Sequence, residues 1–345
     1  MKFYIWGVVA IAITFLAPCL LERDASLAQK AYIANSDSNN VSVIDTATNT
    51  VIATVPVGKF PQGLAVSPDG SKAYVANENS DSVSVIDTAK NSVIGSAIHV
   101  GTEPVGVAVS PDGSAVYITN FGFRSKSVSV IQTTNNKVTA TIPVGTGPVG
   151  VAFSPDGSKV YVANYGSNSV SVINTKTKRV TATIRLGRYP VSQIAVSPDG
   201  AKFYVTTLQS NAVAVIDTAK DRITATIPVG IGPIGVAVSP DGSKVYVANS
   251  NSLTYSKPGT VSVINTANDE VTDTIPVGTS PCGISVSPDG SKVYVANSAS
   301  NTVSVIGTAT NSVIATIPVG SHPVALGFFI QPAPKSVEPT AEGKL

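Results

Sequence analysis

The chain has 345 residues, 43% of them apolar and 13% charged, and its formal net charge is +2 at pH 7. The apolar share is enough for a packed core, and so weak a charge argues against a nucleic acid or an anionic membrane held by electrostatics. With two cysteines in the whole chain, a disulfide framework is not what holds it.

The first segment stands apart. Lys2 precedes an apolar run from Phe3 to Leu21, and the polar "ERDAS" follows. Ser26 and Ala28 are small residues at the two positions a signal peptidase reads, so residues 1–28 are expected to be a signal peptide cut before Gln29. The run is also long enough to stay as an anchor, which is the one membrane contact the sequence offers. Cys19 follows Pro18 in "LAPC", which does not suit a lipoprotein signal. On either reading the body lies outside the cytoplasm, in a periplasm, on a cell surface or secreted. Residues 331–345, "QPAPKSVEPTAEGKL", are rich in Pro and charge and read as a disordered tail.

Between these ends the chain repeats itself. "SPDGSKVYVAN" stands at 239–249 and again, letter for letter, at 287–297. "VSVI" or its variant begins at 41, 83, 128, 170, 213, 261 and 303, and "YVAN" or its variant at 32, 74, 117, 161, 204, 246 and 294. Each unit carries four short β-rich runs, named strands A to D; in one unit these are "VGVAFS", "KVYVAN", "SVSVIN" and "VTATIRL". "SPDG" joins A to B: Pro sets a turn corner, Asp bonds the backbone just downstream, and Gly takes the left-handed position. Four antiparallel strands repeated seven times predict an all-β fold, a seven-bladed β-propeller over residues 29–330. The body opens on a strand B and ends on "HPVALGFFI", a strand A. One composite blade, from N-terminal strands B, C and D and C-terminal strand A, is therefore expected to close the ring. Pro56, Pro143, Pro228, Pro276 and Pro318 fall in strand D, which makes D the outer edge and A the channel strand.

These recurring "YVAN", "YITN" and "YVTT" strands, in register with the other elements, resemble the YVTN family of seven-bladed propellers. The resemblance covers nearly all of 29–330. It implies an extracytoplasmic or surface setting, in which family members act as surface-layer or adhesion-type modules. Related propellers serve as lactonases, lyases and cofactor-binding domains, so the fold does not choose among functions.

Where the copies differ, function is sought. The interval from the turn Ser to the end of "YVAN" never changes, so its Asp residues shape turns. Length varies instead between B and C, in "NFGFRSKS" and "NSNSLTYSKPGT", and two residues vary in each D–A link between a fixed Gly and Pro. Strand alternation puts both kinds of link on one face, a candidate binding face. Its candidate residues are Phe60, Glu103, Phe123, Arg124, Tyr165, Arg188, Tyr189, Tyr255 and His322, aromatic and charged types that anchor interfaces.

Catalytic signals are sparse. His99 takes a slot that is Pro in most blades, on the outer strand. Cys282 follows Pro281 where sister strands carry mostly aliphatic residues and reads as a small buried hydrophobe. "PVSQIAVS" has one residue more than its sisters, which predicts a β-bulge at Gln193. No haem, phosphate-loop or nucleophile-elbow motif occurs, and no cofactor or metal site is expected. The expected function is a non-catalytic, monomeric binding or display propeller for a macromolecular partner or cell-envelope component. The alternative is a lactonase- or lyase-like enzyme using His322, Glu103 and Arg188 at the channel mouth. Single-stranded nucleic acid carries the least weight.

Overall fold

In the computed structural model of the chain, the described residues are 29–122, 125–187, 191–251 and 257–332. They form the expected seven-bladed propeller of four-stranded antiparallel blades. Blade 4 shows the plan, with strand A at Pro148–Phe153, B at Lys159–Asn164, C at Ser169–Asn174 and D at Arg179–Arg185. Blades 2, 3, 5, 6 and 7 span residues 61–99, 104–143, 191–228, 233–279 and 281–318. Blade 1 is composite. Its B, C and D strands are Lys30–Asn35, Asn40–Asp45 and Thr50–Pro56, and residues 323–330 bridge to strand B at Asn35–Pro323 and Ala31–Ile330.

The closing segment does more than fill the vacant edge. It also runs parallel to strand A of blade 2, where Leu64 and Val66 amides donate to the carbonyls of Leu326 and Phe328 at 3.1 and 2.9 Å. Gln331 and Pro332, assigned to the tail by composition, continue this closure. The Gln331 amide donates to Lys30 O at 2.8 Å, and its side chain donates to Gly70 O at 2.9 Å. The remainder of the tail, 333–345, and the expected leader, 1–28, lie outside the described residues.

Pro56, Pro143, Pro228, Pro276 and Pro318 are exposed on strand D, paired to strand C on one side only. His99 pairs with Ser82 in the corresponding slot of blade 2, exposed as its position implied.

The repeated turn works as its chemistry predicts. In blade 4 the Ser154 hydroxyl and the Ser158 amide donate to Asp156 Oδ1 at 2.6 and 3.0 Å, and Lys159 N donates back to Ser154 Oγ at 2.9 Å. Gly157 has φ +70°, the left-handed value the turn requires. A β-carbon there would come into van der Waals contact with Pro111 of the preceding turn, as one at Gly70 would with Pro332. Pro68, Pro111, Pro155, Pro198, Pro240 and Pro288 thus form a collar at one end of the channel, and Pro332 joins them from the closing segment.

Blades meet through a second repeated contact. The Asn ending "YVAN" is almost fully buried and donates from Nδ2 to two strand C side chains; Asn164 reaches Ser169 and Ser171 at 3.2 and 3.0 Å. The glycine after strand D of the preceding blade lies so close that a β-carbon at Gly145 would meet Asn164 Cγ at 2.5 Å. "TIPVG" keeps its glycine for this reason. Inner strands pack with as little clearance: a side chain at Gly106 would run into the Val149 carbonyl of the next blade.

One expectation changes. Every described A strand shifts register after its first residue, in blade 4 between Pro148–Asn164 and Val151–Val162, and in blade 5 between Val191–Thr207 and Ile194–Val205. The bulge is a property of all inner strands. The extra residue of "PVSQIAVS" precedes the strand, and Gln193 takes the place that glycine holds in blades 2, 3, 4, 6 and 7.

Two outcomes follow. Gly230→Ala, which drives a methyl into Asn249, should cost about 1–3 kcal/mol in urea unfolding. Hydrogen bonds from Ser154 or Ser239, then from the amide and hydroxyl of Ser158 or Ser243, hold the Asp156 and Asp241 carboxyls at about 2, below the usual 3.8. A lowered carboxyl stabilises the fold above its unfolded pKa and loses that contribution as pH falls through the folded value. Melting temperature should therefore drop between about pH 4 and 2, and Asp156→Asn should remove its share of that drop.

Candidate functional site

The face made by the D–A and B–C links is built on one backbone device. The residue before the strand A proline is left-handed in all six described links: Phe60 (φ 54°), Glu103 (49°), Gly147 (61°), Gly232 (64°), Ser280 (52°) and His322 (54°). Asn39, Asp81, Asn211 and Asn301, from the B–C turn of the same blade, accept the amides of Phe60, Glu103, Gly232 and His322 at 2.8–2.9 Å. The carbonyl of the link residue accepts from the next blade's B–C segment, as in Glu78 N to Phe60 O (3.0 Å) and Phe121 N to Glu103 O (2.9 Å). Each link is thereby clamped between two blades. A non-glycine residue in this conformation costs about 1–2 kcal/mol, and Gly147 and Gly232 show that glycine fits the same frame.

Along blades 2 to 4 these links assemble a continuous arc. Phe60 is half-buried and touches Glu78 through the backbone bond just described. Glu78 Oε2 accepts from Gln62 Nε2 at 2.6 Å. Burial pushes the Glu78 carboxyl above its ordinary range, the Gln62 bond offsets part of that, and the charge of Glu103 adds to the rise. Glu103 is half-buried and leads through its carbonyl to Phe121, whose ring meets Tyr165 edge-on at 6.3 Å. Tyr165 opens a short 3₁₀ turn, Tyr165–Ser167, in the B–C link of blade 4.

The structure thus joins three of the predicted residues, Phe60, Glu103 and Tyr165. His322 is exposed in the link from blade 7 to blade 1, and the Phe60 link stands between it and Glu103. Phe123, Arg124, Arg188, Tyr189 and Tyr255 lie outside the described residues. Sequence reasoning missed Gln62 and Glu78, although both carry a signal. "PQG" places an amide where sister strands read "PVG", "PIG" or "PCG", and "YVANENS" is the one copy in which an acid follows the Asn.

Below this rim the channel is filled rather than open. Val105 of blade 3, Cys282 of blade 7 and Val324 and Leu326 of blade 1 converge into an apolar septum, with Phe121, Val149 and Ile234 packed against it. The channel mouth pictured from sequence is therefore a rim around a plug. Burial pushes the Cys282 thiol up to about 12, partly offset by hydrogen bonds, so it carries no thiolate at neutral pH. On the far side of the septum a cavity of about 480 Å³ extends toward the proline collar. Among the described residues no three His, Cys, Asp or Glu side chains gather as a metal site would need.

Fold and rim together define a seven-bladed propeller with one decorated face. A family model described as "Lactonase, 7-bladed beta-propeller" matches residues 143–256 and 213–322, together more than half of the chain, and the chain belongs to that propeller family. A second model, "Choice-of-anchor I domain", matches residues 23–188. Among solved structures, a chain of Kuenenia stuttgartiensis hydrazine synthase is similar at 27% identity and a TM-score of 0.73, over 81% of this chain and 92% of that one. A functionally unknown protein from Desulfotomaculum acetoxidans is similar at 16% identity and a TM-score of 0.72, over 86% and 99%, a likeness of fold alone. No curated protein matches the chain.

If the left-handed links hold side chains at the expense of stability, glycine should relieve them. Glu103→Gly and His322→Gly are each expected to raise stability by about 0.5–1 kcal/mol, the left-handed cost less the added entropy of unfolded glycine. Chemical denaturation checks this directly.

Proposed function

We propose that the chain is a non-catalytic, extracytoplasmic binding propeller that presents its B–C and D–A face to a macromolecular partner or cell-envelope component. The observation that carries this reading is the retention of Phe60, Glu103, Ser280 and His322 in left-handed positions where two sister links use glycine. A side chain kept against a backbone cost, on a rigid surface link, is kept for what it touches. The arc from Phe60 to Tyr165 pairs aromatic faces with two carboxylates, a surface suited to a segment bearing Lys or Arg beside apolar groups. The choice-of-anchor match and the leader-like first segment support a setting outside the cytoplasm.

A second reading has its own observation. The Glu78 carboxyl, raised chiefly by burial, would serve as a general base for hydrolysis of a lactone, and the family match supports that chemistry. In that case Glu78, rather than His322, takes the proton from the attacking water.

Two measurements on the full chain separate them. Labelled protein should bind an envelope preparation from its source cells saturably, and the double variant Phe60→Gly/Tyr165→Ala should lose that binding at least tenfold while staying folded. A pH-stat assay over lactones of several ring sizes should show no hydrolysis above buffer. Turnover that Glu78→Gln abolishes would overturn the binding reading and establish the enzyme.

A further inference from the structure

The cavity between septum and proline collar is separate from the rim and takes no part in that function. Its volume, about 480 Å³, falls within the range of small-molecule sites. Its wall is the inner strands, with side chains such as Val107, Phe153, Ile194, Val236 and Ile284, and no charged residue or histidine lines it among the described residues. A charged ligand would find nothing to pair with there.

Gln193 departs from this apolar wall. It lines the cavity at 8% exposure, and its Nε2 is buried with no hydrogen-bond partner in the protein. Its place in the register belongs to glycine in five sister strands, so the amide is an addition, not an inherited feature of the repeat. Leaving such a donor unpaired costs about 1–3 kcal/mol. The backbone here is also held: Thr206 Oγ1 accepts from Gln193 N at 3.0 Å and donates to Ile234 O of the next blade at 2.7 Å. A second departure lies on the same wall. Ser285 stands where five sister strands carry alanine, and its buried hydroxyl also has no protein partner.

We infer that the channel is a binding site for a neutral, largely apolar small molecule whose carbonyl-type oxygen accepts a hydrogen bond from the Gln193 amide, the amide turning about its terminal bond to bring Nε2 to the cavity. The lining supplies burial, the absence of charge selects a neutral molecule, and the orphan donor fixes its orientation. Entry is from the collar side, away from the septum.

Nile red, a neutral aromatic dye with a ring carbonyl and environment-sensitive emission, is the probe. The full chain should bind it saturably, with blue-shifted emission. Val238→Phe imports into blade 6 the residue that Phe153 already provides at the same register in blade 4, and it should weaken binding at least tenfold by filling the cavity. Gln193→Leu should weaken it about fivefold, the worth of one hydrogen bond. Ile52→Thr/Ile314→Thr, which removes apolar groups exposed on the outer strands, should change nothing. The inference is overturned if no saturable binding occurs, if binding survives Val238→Phe in protein with an unchanged circular dichroism spectrum, or if the outer-strand variant abolishes it. Unchanged affinity in folded Gln193→Leu would likewise overturn it, so failure of either variant to fold leaves the other decisive.

Discussion

The close approach of blade to blade is the constraint on which the rest of this structure depends. At the outer part of six of the seven interfaces the glycine after strand D lies against the buried Asn that ends strand B of the next blade; at the inner part of five a glycine lies against the neighbouring carbonyl. Neither position has room for a β-carbon. The Asn spends its Nδ2 on two strand C groups and so locks its own blade while shaping the surface its neighbour meets. Tyrosine completes the interface: Tyr161 stacks on Phe203 of the next blade at 4.4 Å, and burial pushes its phenol up to about 12. Steric fit between repeats, more than any single strong bond, explains why eleven residues recur letter for letter.

That regularity made the fold legible. Strand order, the outer place of the prolines, the composite blade and the role of the turn aspartates all follow from periodicity and turn chemistry, which are local. The channel was not legible, because the septum is assembled from Val105, Cys282 and the pair Val324 and Leu326, three sites far apart in the chain that look like ordinary strand A positions. The rim was half legible. Phe60, Glu103 and Tyr165 announced themselves as unlike side chains in a fixed setting, whereas Gln62 and Glu78 matter only because the fold sets them 2.6 Å apart. The expected bulge does fall at Gln193, but the extra residue is not its cause: the sister inner strands carry the same register shift.

The left-handed links show how a rigid repeat makes room for variation. Clamped at the amide by one blade and at the carbonyl by the next, the link backbone is the same whether the residue is Gly232 or Phe60. Side chains are free to change there without disturbing the packing that the glycines and asparagines enforce. The two ends of the propeller consequently differ from blade to blade under different rules. The "SPDG" end is fixed by its collar of prolines and turn carboxylates, and the link end carries the side chains that differ.

Blade 5 is where the packing rule itself is relaxed, and its departures are coupled. Thr207 replaces the Asn, and its hydroxyl bonds instead to Ala212 O within the same blade. With no Asn to meet, Gly187 of blade 4 has open space beside it and turns to φ +85°. The link that follows is the one with an added residue, and the strand it leads into carries Gln193 where glycine would otherwise be required. Thr206, in place of the alanine of most blades, then ties the Gln193 backbone to blade 6, as Thr119 ties Gly106 to blade 4. Together these changes open one inner position to a long polar side chain and hold it still. In a chain that otherwise repeats itself so closely, a concerted set of exceptions converging on one unpaired amide is better explained by a ligand than by drift.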